Sequence, residues 1–307
     1  MRRLLPALLL ILTAGAAWAQ PKAADQWLAR PVDDSTLKTY LNFFAYDQRL
    51  SFDVKVIGSE EKEGLRKEHL SFQTTPGVKA FANLYQPAGA SSQKAGAVIF
   101  LHGGSAAGKD NRGSQVLSEL MARGGWRVLA LDLPYFGERS TDLLTTFTDP
   151  EKHERLYNQP AAHLAWVTQV VKDVGRCFDF LVEQRNVDPK RVTIVGMSRG
   201  AILAAIIGGA DRRFAAVVLL YGGHFDALER EHLPAACPAN YVGRISPRPL
   251  LMINGTQDTD MIREPSVLPL YQVAKMPKKM IMSETGHAVL TEEHRSAILQ
   301  WLRENVK

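Results

Sequence analysis

The stretch that most constrains this chain is Gly196-Met197-Ser198-Arg199-Gly200, which matches the pattern G-x-S-x-G. It follows a short β-branched run at residues 192–195, typical of a buried parallel strand, and precedes an apolar run at residues 201–207, typical of a buried helix. In this strand–turn–helix context, the pattern predicts a strained turn that lifts the serine hydroxyl above the edge of a sheet. Glycine is expected on both sides because a side chain there would crowd the turn or the helix packing.

Apolar runs alternate with helical patterns along the rest of the chain, which is typical of a mostly parallel sheet covered by helices on both faces. A Pro-Gly turn between two alternating segments predicts an N-terminal antiparallel hairpin. The expected strands are residues 50–57, 65–74, 78–86, 95–101, 126–131, 192–195, 215–221, 249–254 and 279–283. Helices are expected within residues 23–46 and at 114–124, 161–185, 201–207 and 292–306, an irregular loop at 141–159, and a short excursion over the strand ends at 225–245.

The composition is that of an ordinary globular protein, since 46% of the 307 residues are hydrophobic and 22% are charged. The formal net charge is +5, but the basic residues are scattered without a long run, so nucleic-acid binding is not supported. Because α/β folds of this size often form one unit, we expect a single domain over residues 20–307. The sequence does not indicate an oligomeric state.

The first 19 residues have the pattern of a cleavable signal peptide. Arg2 and Arg3 form a charged start, an apolar stretch follows, and a small-x-small site ends at Ala19. The apolar stretch is too short to span a bilayer as a mature helix, and Gln20 stands where a lipoprotein would carry Cys. We therefore expect cleavage after Ala19, no stable membrane anchor afterwards, and a secreted or periplasmic mature protein.

Three residues in the order Ser198, Asp258, His287 are the candidates for a catalytic triad. A serine hydroxyl is a poor nucleophile unless a base takes its proton, and the base needs a group that orients it. His287 lies in the loop after the last expected strand and is the candidate base, and Asp258 lies in the turn after the penultimate one and is the candidate acid. Asp260, two residues further on, is the alternative acid.

A tetrahedral intermediate also needs N–H donors for its oxyanion. One is expected from the backbone of Arg199, directly after the nucleophile. The other is expected from the loop after the strand at 95–101, where the Gly104 N–H is favoured and Ser105 is the alternative. His102 in the same loop is expected to brace it rather than to react. Lys109, which follows this loop, is expected to be part of a solvated surface, as are its neighbours Asp110 and Arg112.

Taken together, these motifs resemble the α/β-hydrolase superfamily. The resemblance rests on HGG and DLPYFG after two successive strands, GMSRG at the turn, and NGTQD and GH late in the chain, and it covers roughly residue 78 to the end. Within the superfamily, the chain is most similar to exported esterases near acetyl xylan esterases and dienelactone hydrolases. Dienelactone hydrolases carry Cys as nucleophile, so Ser198 favours an ester-cleaving branch. The resemblance implies an α/β-hydrolase fold with an N-terminal hairpin and a short cap.

The interpretation we favour is a serine esterase that cleaves a small-molecule carboxylic ester, with a small acyl group, through an acyl-enzyme on Ser198. It requires no metal and no organic cofactor. The alternatives are a peptidase-like or lactone-cleaving hydrolase, and a binding protein on a hydrolase scaffold.

Two further questions stay open at the sequence level. Cys177 and Cys237 are compatible with a disulfide in an exported protein and with two buried thiols. Several residues near strand ends are candidates for lining a substrate pocket, although each is more often a core residue: Tyr135, Phe136, Met197, His224 and Phe225.

Overall fold

The computed structural model describes residues 26–89, 94–141, 147–230 and 232–307. The predicted signal peptide at residues 1–19 lies outside the described residues and stays a prediction. Within the described part, no helix is long and apolar enough to cross a membrane.

The described residues form one large sheet of nine strands. The strands are β1 (Lys55–Lys62), β2 (Leu65–Thr75), β3 (Val78–Pro87), β4 (Ala95–Leu101), β5 (Arg127–Leu131), β6 (Val187–Met197), β7 (Ala216–Leu220), β8 (Leu250–Gly255) and β9 (Lys278–Ser283). Their order across the sheet is β1-β2-β3-β5-β4-β6-β7-β8-β9.

The sheet is antiparallel at its N-terminal edge and parallel elsewhere. β1, β2 and β3 pair antiparallel with one another in sequence, and β3 pairs antiparallel with β5. All pairings from β5 through β4, β6, β7 and β8 to β9 are parallel. The predicted mostly parallel sheet with an N-terminal antiparallel hairpin is therefore confirmed. Because parallel strands share a direction, the loops after them meet at one edge of the sheet.

Helices cover both faces of this sheet, as predicted. Those in the described residues are α1 (Gln26–Ala29), α2 (Asp34–Leu41), α3 (Arg112–Arg123), α4 (Asp149–Lys152), α5 (Pro160–Gln184), α6 (Arg199–Ala210), α7 (Ala239–Val242), α8 (Leu268–Val273) and α9 (Glu292–Asn305). α5 and α6 pack on one face, and α3 and α9 pack on the other.

β4 shows how the sheet separates two apolar cores. Ala97, Ile99 and Leu101 point into the core under α5 and α6, whereas Val98 and Phe100 point into the core under α3 and α9. This is the period-two alternation of a strand that is covered on both faces. Burying a large apolar side chain contributes about 1.5–3 kcal/mol, so a fully buried strand such as β4 is a major source of stability.

The first strand begins later than predicted. It was expected at residues 50–57, but β1 runs from Lys55 to Lys62 and is exposed along its whole length. Phe52, which produced the apparent alternation, lies before the strand and packs into the core instead. Its ring centroid lies 6.2 Å from that of Phe72 and 5.7 Å from that of Phe180.

The prediction of an irregular loop at residues 141–159 was wrong for the part that the structure describes. That part contains α4 and a following π-helical turn (His153–Tyr157). The sequence did carry a signal, because Thr148 and Glu151 have the spacing of a capping box and Pro150 stands in the first turn. The polar composition hid the helix, since its buried face includes His153 and Tyr157 rather than an apolar stripe.

Both cysteines are buried thiols, and no disulfide joins them. Cys177 lies on α5, inside the core under that helix. Burial raises the pKa of the Cys177 thiol well above its usual value, which keeps it protonated and unreactive.

Candidate active site

Ser198 stands on a sharp turn between β6 and α6. Its φ of 54° and ψ of −120° lie in a region that residues with a side chain rarely adopt. A Cβ on Gly196 would lie 2.1 Å from the Gly200 carbonyl oxygen, and a Cβ on Gly200 would lie 2.3 Å from the Leu101 carbonyl oxygen. Glycine is therefore required at both positions, as the sequence pattern indicated. The Ser198 N–H donates to the Leu220 carbonyl at 2.8 Å, which holds the turn against β7.

Ser198, His287 and Asp258 form a continuous chain of hydrogen bonds. His287 Nε2 lies 2.7 Å from Ser198 Oγ, and His287 Nδ1 lies 2.8 Å from Asp258 Oδ2. Because a carboxylate only accepts hydrogen bonds, Nδ1 carries the proton and Nε2 is left to accept the serine O–H. The three side chains thus have the geometry of a nucleophile, a base and an orienting acid.

The two candidate acids contact different sides of the imidazole. The Asp258 side chain is fully buried, and its Oδ1 accepts the backbone N–H groups of Asp260 and Met261, each at 2.9 Å. The Asp260 side chain is 57% exposed, and its Oδ2 lies 3.7 Å from Nε2 of His287. Asp258 therefore orients the ring, whereas Asp260 faces the side on which the serine lies.

Opposing effects act on the pKa of His287. Burial lowers it, but the hydrogen bond and charge of Asp258 raise it, with further contributions from the charges of Asp260 and Asp226. The net pKa of His287 lies above the usual histidine value. The Tyr221 ring packs edge-on, with its centroid 5.9 Å from that of the imidazole.

The loop after β4 packs directly against Ser198. A Cβ on Gly103 would lie 3.2 Å from Ser198 Cβ, whereas a Cβ on Gly104 would meet no atom within 4 Å. His102 is fully buried, and its Nε2 accepts the Leu133 N–H at 3.0 Å. Its Nδ1 therefore carries the proton and donates to the Gly103 carbonyl at 2.6 Å. This ring braces the loop, in agreement with the role expected from the sequence.

The brace also sets the direction of the next peptide group. The bond between Gly103 and Gly104 is trans, so its carbonyl and its N–H point in opposite directions. Since the carbonyl is bound to His102, the Gly104 N–H points away from that ring. Gly104 lines the cavity beside Ser198, as does the alternative donor Ser105.

The Arg199 side chain has a role that the sequence analysis missed. Arg199 is only 4% exposed, and its guanidinium hydrogen-bonds to both Asp226 and Glu229 and lies 3.9 Å from the centre of the Tyr157 ring. The sequence did contain a signal for it. An arginine at the start of an otherwise apolar buried helix requires buried counter-ions.

His153 completes the charge balance of this network. Its Nδ1 lies 2.6 Å from the Asp149 carbonyl and its Nε2 lies 2.8 Å from Asp226 Oδ2. Both partners only accept, so both nitrogens donate and the ring is an imidazolium. Burial lowers the pKa of His153, but Asp226 raises it more, and the net pKa lies above the usual value. Two cations, Arg199 and His153, then face two carboxylates, Asp226 and Glu229.

One group of described residues has the composition of a metal site. His163, Glu229 and His232 are buried and place one ligand atom each within 4.8 Å of the others. The Glu229 carboxylate, however, already accepts hydrogen bonds from Arg199 and, at 2.9 Å, from His232 Nε2. A metal ion there would stand beside a guanidinium, so we assign the group a structural role.

A second buried network joins the loop after β4 to the loop after β5. Lys109 was expected on a solvated surface, but it is 1% exposed. Its Nζ lies 3.0 Å from the buried Asp132, 2.7 Å from Asp110 and 2.7 Å from Glu138. Burial opposes its charge, but these carboxylates raise the pKa of Lys109 above its usual value. The prediction was wrong because two of the carboxylates that make burial tolerable, Asp132 and Glu138, come from another loop.

A cavity of about 310 Å³ opens beside Ser198. It is lined by residues of the Ser198 turn, the loop after β4, the helical segment at 149–157, and the loops around Asp226 and Asp260. Of the five side chains considered from the sequence, Met197 lines this cavity, whereas the other four are absent from its lining. Phe136 instead packs edge-on against His102, with ring centroids 5.5 Å apart.

Comparison with known sequences gives a match over the same region. Residues 98–244 match the model of the Alpha/beta hydrolase family. The chain is 27% identical over 131 residues to the uncharacterized protein YfhR of Escherichia coli O157:H7, and the match covers 39% of this chain and 46% of YfhR. The chain thus spans less than half the length of this curated relative.

Solved structures extend the similarity over most of the chain. An acetyl xylan esterase from Paenibacillus sp. R4 superposes with a TM-score of 0.67 at 15% identity, covering 92% of this chain and 99% of that one. A cold-adapted esterase from an Arctic intertidal metagenomic library gives 0.62 at 19% identity, covering 84% and 100%. At such identities the likeness concerns the fold. Combined with the family match, it identifies the chain as an α/β-hydrolase superfamily protein with the α/β-hydrolase fold.

Proposed function

We propose that this protein is a serine hydrolase that cleaves small carboxylic esters through an acyl-enzyme on Ser198. The observation that carries the proposal is the hydrogen-bonded chain from Ser198 Oγ through His287 to Asp258, at 2.7 Å and 2.8 Å. Two proteins of similar fold, an acetyl xylan esterase and a cold-adapted esterase, support an ester as the substrate. We propose small acyl groups because the first of them is an acetyl xylan esterase.

The first half of the reaction forms the acyl-enzyme. His287 Nε2 takes the Ser198 proton while Oγ attacks the ester carbonyl carbon, and Asp258 stabilises the imidazolium. The oxyanion accepts hydrogen bonds from the backbone N–H groups of Arg199 and Gly104, each worth about 10²–10³ in rate in comparable sites. When the tetrahedral intermediate collapses, the alcohol leaves with the proton held by His287.

The second half repeats these steps with water. His287 takes a proton from a water molecule, whose oxygen attacks the acyl carbon. Collapse of the second intermediate returns the proton to Ser198 Oγ and releases the carboxylic acid. Every proton in this cycle passes through His287, so no step needs a metal or an organic cofactor.

One experiment tests the nucleophile. A fluorophosphonate probe should label the wild type, and Ser198→Ala should abolish both labelling and nearly all turnover, a loss of roughly 10³-fold or more. Thermal melting of the variant checks that the fold is intact. Labelling that persists in the variant would show that another residue is the nucleophile.

A second experiment separates the alternative substrates. A panel of p-nitrophenyl esters of increasing chain length is run beside acetylated sugars, lactones and peptide amides. We expect the highest kcat/KM for short acyl esters. A preference for amides would favour the peptidase-like alternative, and labelling without turnover of any substrate would favour a binding protein.

We further propose that the protein is exported and acts as a secreted or periplasmic enzyme. The proposal rests on the charged start, the apolar stretch and the small-x-small site within residues 1–19. N-terminal sequencing of the exported protein should begin at Gln20. A mature chain that retains Met1 would contradict it.

A further inference from the structure

A second carboxylate, that of Asp260, stands at the reacting side of the site. Its Oδ2 lies 3.7 Å from His287 Nε2, the same nitrogen that lies 2.7 Å from Ser198 Oγ. The backbone of Asp260 is held on both sides, since its N–H donates to Asp258 at 2.9 Å and its carbonyl accepts the Ala227 N–H at 2.8 Å. The backbone thus places the Asp260 carboxylate at the cavity wall, which it helps to line.

The other charged side chains that line this cavity are balanced by neighbours. Asp149 Oδ1 lies 3.0 Å from Lys152 Nζ. Asp226 is bound by Arg199 and by His153. These pairs leave little net charge on that part of the wall.

While His287 is neutral, no cation among the described residues balances the charge of Asp260 in this way. Among the described residues, its ion pairs within 4 Å are restricted to His287. In the described part of the chain, the wall of the resting cavity therefore carries the uncompensated negative charge of Asp260, beside the position that the substrate carbonyl must take next to Ser198. The charge gains a partner when His287 becomes protonated during the reaction.

We propose that Asp260 determines the charge preference of the enzyme, favouring neutral and cationic esters over esters with an anionic group near the scissile bond. Such a group would approach a fixed carboxylate in a partly desolvated cavity, where repulsion between like charges is stronger than in water. The imidazolium that forms on His287 is stabilised by the same carboxylate. This inference rests on the proposed function and adds the charge of the substrate to it.

The test compares Asp260→Asn with a variant that loses the same charge elsewhere. Glu264→Gln is the control, because Glu264 is 70% exposed and does not line the cavity. The substrates are p-nitrophenyl butyrate and p-nitrophenyl hemisuccinate, which differ mainly by a terminal carboxylate. The hemisuccinate-to-butyrate ratio of kcat/KM should rise about three- to tenfold in Asp260→Asn, since a half-exposed charge acts through screened interactions. It should stay at the wild-type value in Glu264→Gln.

A second pair of substrates, which differ by a positive charge, should show the opposite effect. Acetylthiocholine is compared with its uncharged 3,3-dimethylbutyl thioacetate isostere. The ratio of kcat/KM for the cation to that for the isostere should fall in Asp260→Asn. Both ratios should approach those of the variant when the wild type is assayed at about 0.5 M salt, because added salt screens an exposed charge.

An NMR titration of His287 tests the effect of the Asp260 charge in the absence of substrate. The charged groups that raise the pKa of His287 are Asp258, Asp260 and, more distantly, Asp226. Asp260→Asn removes one of them, so NMR titration should show a lower His287 pKa by a few tenths of a unit to about one unit. Glu264→Gln should leave the His287 pKa unchanged.

The outcomes separate this inference from the proposed function. If the wild type cleaves the neutral esters but the charge ratios are equal in the two variants, the inference is overturned and the proposed function stands. If the wild type cleaves none of the esters and is not labelled by fluorophosphonate, the proposed function fails, and the substrate preference fails with it.

Discussion

Replacing Asp258 by Asn should invert the tautomer of His287. Asp258 Oδ1 accepts two backbone N–H groups at 2.9 Å, so in the variant the amide oxygen must occupy that position. The amide NH₂ then takes the position of Oδ2, which lies 2.8 Å from His287 Nδ1, and donates to it. Nδ1 becomes an acceptor and Nε2 carries the proton toward Ser198. A protonated Nε2 cannot accept the serine proton.

The expected loss in kcat is about 10²- to 10⁴-fold, equivalent to about 2.7–5.4 kcal/mol of transition-state stabilisation. Asp260→Asn leaves the tautomer unchanged, so its kcat on a short neutral ester should fall less than about tenfold. The assay is the hydrolysis of p-nitrophenyl acetate by the wild type and both variants, with melting curves to verify folding. A larger loss at Asp260 than at Asp258 would reverse the assignment, and near-wild-type kcat in Asp258→Asn would refute the tautomer argument.

Three further predictions concern stability and the thiols. Arg199→Met keeps the backbone N–H but removes the guanidinium that two buried carboxylates share. Urea unfolding should therefore show a loss of about 3–5 kcal/mol, and a loss under about 1 kcal/mol would contradict the network. The raised pKa of His153 predicts a stabilising contribution that is complete below the unfolded pKa of about 6.5 and is lost as pH rises through the higher folded pKa. The advantage of the wild type over His153→Gln in free energy of unfolding should therefore shrink as pH rises above about 6.5, and a constant advantage would contradict this. Iodoacetamide in urea without reductant should alkylate both Cys177 and Cys237, whereas a disulfide would leave both unmodified.

That Ser198, Asp258 and His287 lie close together could be predicted from the order of strands and loops along the chain. Each candidate follows a strand of the parallel sheet, and parallel strands deliver their following loops to one edge. β6 ends at Met197, directly before Ser198, and β8 and β9 end shortly before Asp258 and His287. The sequence thus predicted which loops meet at the site, although it left the choice between Asp258 and Asp260 to a spacing argument. The hydrogen bonds to Asp258 Oδ1 are what distinguish the two.

The buried ion networks could not be predicted because their members are far apart in the chain. Arg199 is bound by residues 27 and 30 positions away, and Lys109 by Asp132, 23 positions away. Arginine and lysine are usually exposed, and although the apolar helix indicated that Arg199 is buried, the partners that make its burial possible lie on another loop. The sequence did not reveal the helix at Asp149–Lys152 because the buried side chains of its continuation, His153 and Tyr157 beside Leu156, do not form an apolar stripe.

These networks adjoin the two proposed oxyanion donors. The Arg199 N–H belongs to a residue whose own guanidinium is bound to Asp226 and Glu229. The Gly104 N–H lies on the loop that continues into the buried Lys109, which is bound to Asp132. A buried ion pair adds little net stability compared with apolar packing, but it fixes the backbone segments that carry it. Donors that are already aimed at a developing oxyanion need no reorganisation during the reaction, so in the proposed mechanism we expect fixed backbone at these two points to serve catalysis.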